Sequence, residues 1–132
     1  MPDWLNAHDI EYFHRELLME HGGLPGLKDE GALESTLARP RNLLAHTPDA
    51  SMAQLAASYG FGFAKNHVFA DGNKRIALAA INVLLQLNGA NLDVEEAEAV
   101  IVMNDVASGR IDEDSLAAWI SQRAVPFDLD AD

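Results

Sequence analysis

There is no cysteine in this 132-residue chain. That rules out a disulfide framework and a thiolate metal site, and it suits a reducing compartment. Basic side chains are scarce. Nine Lys and Arg stand against 21 Asp and Glu, a formal net charge of −12. This balance disfavours non-specific binding to nucleic acid or to an anionic membrane surface. It suits a basic partner, although acidity also serves solubility alone. No apolar run reaches the roughly 20 residues of a membrane span. The nearest, Ile76 to Leu87, contains Asn82 and Gln86. Residues 1–6 lack the basic and long apolar regions of a signal peptide, so the cytoplasm is the expected location. There is no internal repeat, low-complexity segment or linker. Nothing alternates at period two, which removes the signal of half-buried strands.

What is present is helical. The length fits one domain, residues 1–132, able to bury about two thirds of its unfolded surface. Asn6 to His21 reads as a first helix, with Asn6 and Asp9 at its start and Ile10, Phe13, Leu17 and Leu18 on one face. His8, His14 and His21 have no ligand partner nearby in sequence and read as surface or packing residues. Asp29 opens a second helix that sends Leu33 and Leu37 inward. Pro40 is expected to end or kink it near Arg39. Ser51 to Asn66 is a third helix, whose Ala53, Ala56, Ala57, Gly60 and Gly62 permit close packing. Lys74 to Leu87 is apolar nearly all round, the pattern of the most buried helix, and Gly89 terminates it. Residues 91–93 read as a short extended link. Asp93 and Glu96 have capping-box spacing for a helix from Val94 to about Ser108. In that helix Ala97, Val100, Ile101 and Val106 are expected inward, and Glu95, Glu96 and Glu98 on the solvated face. Asp112 to Arg123 is the last helix, and residues 126–132 read as a flexible acidic tail. The expected fold is all-α, a bundle of about six helices with a loop leading into a central buried one.

That loop is His67-Val68-Phe69-Ala70-Asp71-Gly72-Asn73-Lys74-Arg75. A packing loop rarely needs a histidine, a carboxylate, a glycine, an amide and two cations within nine residues. Gly72 permits positive φ and close backbone approach. Asn73 suits a turn and can cap the helix that follows. The first N–H groups of that helix lack intrahelical partners and lie at its positive end, a natural anion site. Lys74 and Arg75 add fixed positive charge there. Asp71 is a hard oxygen ligand suited to Mg²⁺ on a phosphate. His67 supplies a titratable base. Phe69 reads as the buried anchor of the loop. Together these groups point to phosphoryl or nucleotidyl transfer.

The same residues carry a resemblance. HVFADGNKR resembles the signature loop of the Fic/Doc superfamily, His-x-Phe-x-Asp/Glu-Gly-Asn-Gly-x-x-Arg, and is most similar to its death-on-curing (Doc) branch. Lys74 stands where Fic adenylyltransferases have the second glycine, and lysine there marks the Doc branch. Upstream, Gly22-Gly23-Leu24-Pro25-Gly26 is similar to the Gly-Gly-Leu-Pro-Gly segment of Doc proteins, and Asn88-Gly89 fits downstream. The resemblance runs from about residue 8 to about residue 120.

It implies a Fic/Doc-like helical fold and a toxin of a toxin–antitoxin system. Such a toxin is a protein kinase that moves the γ-phosphate of ATP, with Mg²⁺, to a Ser or Thr hydroxyl of a translation factor, elongation factor Tu, and so inhibits translation. By this resemblance His67, Asp71 and Lys74 are catalytic. Gly72, Asn73, Lys74 and Arg75 bind the nucleotide phosphates, and Gly22 to Gly26 form a flap or target-binding loop. Two departures bear on the mechanism. Gly72 keeps the glycine of the Fic pattern where some Doc proteins have alanine, so adenylyl transfer is the alternative activity. Lys65 stands near a position where arginine occurs in Doc proteins, which removes a bidentate phosphate contact. A second alternative is an inactive binding module or co-repressor in an antitoxin complex. Fic-type proteins often restrain themselves with a Ser/Thr-x-x-x-Glu helix. No Ser or Thr here has Glu four residues later, so inhibition is expected in trans, from a separate antitoxin.

Overall fold

The computed structural model describes residues 2–127. α1 (Ala7–His21) starts where expected: Asn6 accepts from the Asp9 N–H at 2.9 Å and Asp9 returns the bond at 3.0 Å. α2 (Glu30–His46) is capped by Asp29 and α3 (Met52–Lys65) by Ser51 with Gln54. α4 (Asn73–Leu87) follows the signature loop. A short strand β1 (Ala90–Leu92) leads to α5 (Glu96–Ala107), α6 (Glu113–Arg123) and a second strand β2 (Ala124–Pro126).

The bundle is built round α3, which packs against α2, α4 and α6. Ten of its residues are buried, among them Tyr59 and Phe63, whereas α4 buries six. α4 therefore shares the centre, but the most buried helix is α3, and the signature loop joins the two. The small residues explain the close approach. A Cβ at Gly60 would collide with Ile81 of α4, and one at Gly62 would lie 2.7 Å from Thr36 of α2. Each contact is possible only because the side chain is missing.

Several local expectations are corrected. α2 does not stop at Pro40 but runs on to His46 with Pro40 buried inside it. A proline costs roughly 3 kcal/mol in a helix interior. Packing of Leu33, Leu37, Leu43 and Leu44 on the core holds both halves in line. Asp93 does not cap α5. The N-cap is Glu95, without a side-chain bond, and the Asp93 N–H instead donates to Arg123 O at 2.9 Å. Ala99, Val102, Met103 and Val106 face inward, while Val100 and Ile101 are exposed. The cap lies two residues later than expected, and the apolar Val100 and Ile101 were placed inward although they are exposed. Glu98 is not simply solvated: it accepts from Trp119 Nε1 at 2.8 Å and pairs with Arg123 at 2.9 Å.

β1 and β2 form a two-stranded antiparallel ribbon in the register Asn91↔Val125. Residues 91–93 had suggested extension, but strands of three residues are too short to show alternation. Pro126 pairs with Ala90 and so belongs to the ribbon. The expected tail is thereby shortened, and its residues 128–132 lie outside the described ones. The N-terminal segment is pinned to the same core. Asp3 exchanges two bonds with the Asn88 side chain, and the Leu5 N–H donates to the Tyr59 hydroxyl at 3.3 Å. Burial raises the Tyr59 pKa. Among the described residues no helix is long and apolar enough to cross a membrane.

Candidate active site

The loop between α3 and α4 is fixed from inside. Val68 and Phe69 are buried, while His67, Ala70 and Asp71 are exposed. Asn73 does not cap α4. Its side chain closes a ring with the Phe69 backbone, accepting from the N–H and donating to the C=O, each at 2.9 Å. The N-cap is Gly72, left-handed at φ +79°, and no side chain caps the helix. The leading N–H groups of α4 are thus left for a ligand, as an anion site requires. His67 also has positive φ, +48°, the one non-glycine residue so placed among those described. Such strain in a polar loop is typical of a functional site.

Asp71 is held on three sides. The Leu24 N–H donates to its Oδ2 at 3.2 Å and the Gly72 N–H to its Oδ1 at 2.8 Å. These two N–H groups lead, with Arg75 and His14 nearby, in pulling its pKa below the usual carboxylate value. Its backbone carbonyl accepts from His14 Nε2 at 2.7 Å. His14 is buried on α1 and its ring stacks flat on Phe69, 3.8 Å between centroids and 9° between planes.

The segment Gly22 to Gly26 lies against this loop. Ala70 N–H donates to Gly26 O at 3.1 Å, Leu27 bridges to Phe69, and the N–H groups of Lys28 and Asp29 donate to Val68 O. Gly23 has φ +123°, and a Cβ there would lie 2.8 Å from Asp71 Oδ2. The glycines therefore admit close approach to the carboxylate itself. The structure brings together both segments that the sequence singled out.

The signature loop borders a cleft of about 520 Å³, whose lining does not include residues 22–26. One wall carries His67, Ala70, Asp71, Gly72, Asn73, Lys74 and Arg75. The other is mainly apolar: Leu78 of α4, with Val100, Met103 and Ala107 of α5. Asn104 adds one polar side chain there. Lys74 and Arg75 are exposed, and among the described residues neither forms an ion pair. Lys65 and Arg39 do not line the cleft. Lys65 lies over Phe61, and Arg39 binds Ser58 O and Glu113.

Whether this site fits Mg²⁺ and ATP can be judged from its donors. No group of three or more His, Asp or Glu gathers among the described residues, so a dedicated protein cage for a metal is absent. One firmly ionised carboxylate beside an uncapped helix start fits an ion that arrives on phosphate oxygens. Two unpaired cations and free backbone N–H groups fit the phosphates. The α5 wall suits the apolar body of a nucleotide.

The sequence reading missed two parts. The α5 wall was missed because Val100, which lines the cleft, was expected in the core. His14 had a signal: it falls on the apolar stripe between Ile10 and Leu17, where a polar ring needs a partner.

A small helical protein with a His-led polar loop at an uncapped helix start is the class that fold and site define. The chain belongs to the Fic/Doc family, in its Doc branch: the family model described as "Fic/DOC family" matches residues 4–85. It is 36% identical to the Toxin Doc of Mycolicibacterium smegmatis, over 84% of this chain and 92% of that one. It is 27% identical to the Protein kinase doc of Escherichia phage P1, over 86% and 89%.

Proposed function

We propose that this protein is the toxin of a toxin–antitoxin pair and acts as a protein kinase. It would move the ATP γ-phosphate to a Ser or Thr hydroxyl of elongation factor Tu and so stop translation in the cytoplasm. The observation that carries the phosphotransfer reading is the uncapped start of α4. Asp71, Gly72, Lys74 and Arg75 crowd it at the edge of one cleft with His67. Lys74 and the kinase named among the relatives support γ- rather than α-phosphate transfer.

In this reading His67 removes the proton from the attacking hydroxyl. The hydroxyl oxygen bonds to the γ-phosphorus while the bond to the β–γ bridging oxygen breaks, and ADP leaves with that electron pair. Gly72 lets the phosphate chain come close, Asn73 and Lys74 offer it the first helix N–H groups, and Lys74 and Arg75 neutralise its charge. Asp71 would hold Mg²⁺, which supplies charge neutralisation on the phosphates. Residues 22–26 lie beside the reacting groups, where a target segment would dock. Transfer of this kind relies on positioning and fixed charge, so a short rigid loop suffices. Inhibition would come in trans from an antitoxin.

Gly72 favours a second reading, adenylyl transfer, since it keeps the Fic-type glycine. The same base and metal site would serve it. Intact-mass spectrometry of elongation factor Tu, after incubation with this protein, ATP and Mg²⁺, separates the two. A gain of one phosphate that is absent with His67→Ala is the expected result. A gain of AMP would replace the kinase with an adenylyltransferase. No change in elongation factor Tu or in any protein of a whole lysate would leave the binding-module reading.

A further inference from the structure

We infer that His14 is a positioning residue for the reaction: its Nε2–H holds the Asp71 carbonyl and thereby sets the phosphate-binding turn and the Asp71 carboxylate. The inference rests on the phosphotransfer reading above. His14 stands on α1, 57 residues from Asp71 in sequence, yet the contact is 2.7 Å. A carbonyl oxygen only accepts, so Nε2 must carry the proton. The ring is 3% exposed and lies flat on Phe69, whose own backbone is locked by Asn73. His14 therefore has no freedom to turn away.

The peptide it grips is the hinge of the site. The bond from the Asp71 carbonyl carbon leads into Gly72, whose left-handed turn aims the first N–H groups of α4. The Asp71 side chain leaves from the same residue. Beyond His14, α1 continues into Gly22 to Leu24, and the Leu24 N–H takes the Asp71 carboxylate. One continuous stretch of chain thus holds Asp71 by its backbone and by its side chain. A packing histidine could sit anywhere on the α1 stripe. This one is bonded to the residue that divides the carboxylate from the anion nest.

Two substitutions isolate the donor. His14→Leu removes both the donor and the ring stack. His14→Gln also loses the stack but keeps an N–H of similar reach. The expected result for His14→Leu is a rise in the Mg²⁺ half-saturation of ATP-dependent transfer on the order of 10–100-fold, as for the loss of an outer-shell partner of a metal ligand. His14→Gln recovers most of it. A merely structural role would lower the rate at every Mg²⁺ concentration, in proportion to the folded fraction, and leave half-saturation unchanged. That outcome, or a Gln variant no better than Leu, overturns the inference.

A second readout needs no activity. In ¹⁵N-labelled wild type the His14 imidazole is expected as the Nε2–H tautomer with a slowly exchanging proton. The Gly72 amide signal should shift in His14→Leu and return in His14→Gln. An Nδ1–H tautomer, or a Gly72 amide indifferent to His14→Leu, removes the tether whether or not the wild type transfers phosphate. A wild type that transfers nothing, with the tether intact by NMR, defeats the functional reading instead.

Discussion

Asn73 and Asp71 divide the labour of the loop between shape and charge. The Asn73 amide turns one donor and its oxygen to Phe69 and makes no cap bond to α4. Asn73→Ala leaves a backbone pair in a part-buried turn without partners. About 1–3 kcal/mol of stability should be lost, which denaturant titration would read. Activity should fall further than the folded fraction, because the turn itself carries the proposed phosphate site. Asp71 gives a pH expectation. Its pKa is depressed in the folded chain, first by the Leu24 and Gly72 N–H groups. Any stability it lends is therefore complete above the unfolded carboxylate value and lost only as pH falls through the lower, folded one. A carboxyl ¹³C titration should place its midpoint below 3.8, the ordinary value. An acid limb of activity between pH 5 and 7 must then belong to another group. Most of this site was legible in the sequence, because its chemistry is contiguous: base, carboxylate, turn and cations fall within His67 to Arg75. What was not legible is who holds whom. Asn73 could be read as a cap because caps and loop clamps use the same amide, and no local pattern announces a bond from His14 to a residue 57 positions away.

Between elements, the deciding quantity is how closely helices approach. The α3–α4 contact is made at Gly60, where a methyl group would meet Ile81. Gly60→Ala should therefore destabilise by roughly 1–3 kcal/mol despite its better helix propensity, lowering the thermal midpoint by several degrees. Because α3 and α4 flank the signature loop, the same change should also reduce transfer at temperatures where the chain is still folded. The α5–α6 contact depends on Glu98 instead. Glu98→Ala frees the Trp119 N–H and Arg123. A red shift of Trp119 fluorescence and a loss of about 1 kcal/mol are expected, with transfer little affected, since Glu98 is outside the cleft. Helices 1, 3 and 6 were readable because their caps and apolar periods agree, and α4 because of its long apolar run. The start of α5 was misread because Asp93, Glu95 and Glu96 all offer acidic starts, and its face because the apolar Val100 and Ile101 are exposed. Pro40 misled for a different reason. Local propensity argued for a stop, and tertiary packing on α3 won.

For the whole molecule the dominant fact is the charge of −12, against which the cleft sets two cations, Lys74 and Arg75, that form no ion pair among the described residues. A polyanionic nucleotide approaching from far away meets repulsion, and only near Lys74 and Arg75 does it meet attraction. Adding salt shortens the Debye length from about 30 Å at 0.01 M to about 10 Å at 0.1 M, screening the distant charges more than the near ones. The association rate of ATP should therefore rise with ionic strength over this range, the reverse of what a basic nucleotide-binding protein shows. Stopped-flow binding at several salt concentrations would measure it.

α1 buries only Ile10 and His14 fully, whereas α3 buries ten residues. Its release should cost far less free energy than melting the rest. If His14 holds Asp71 in working position, this thin attachment makes α1 a thermal fuse. Heating would silence the enzyme by detaching one helix, at a temperature where α3 and α4 are still intact, and cooling would restore it without refolding the core.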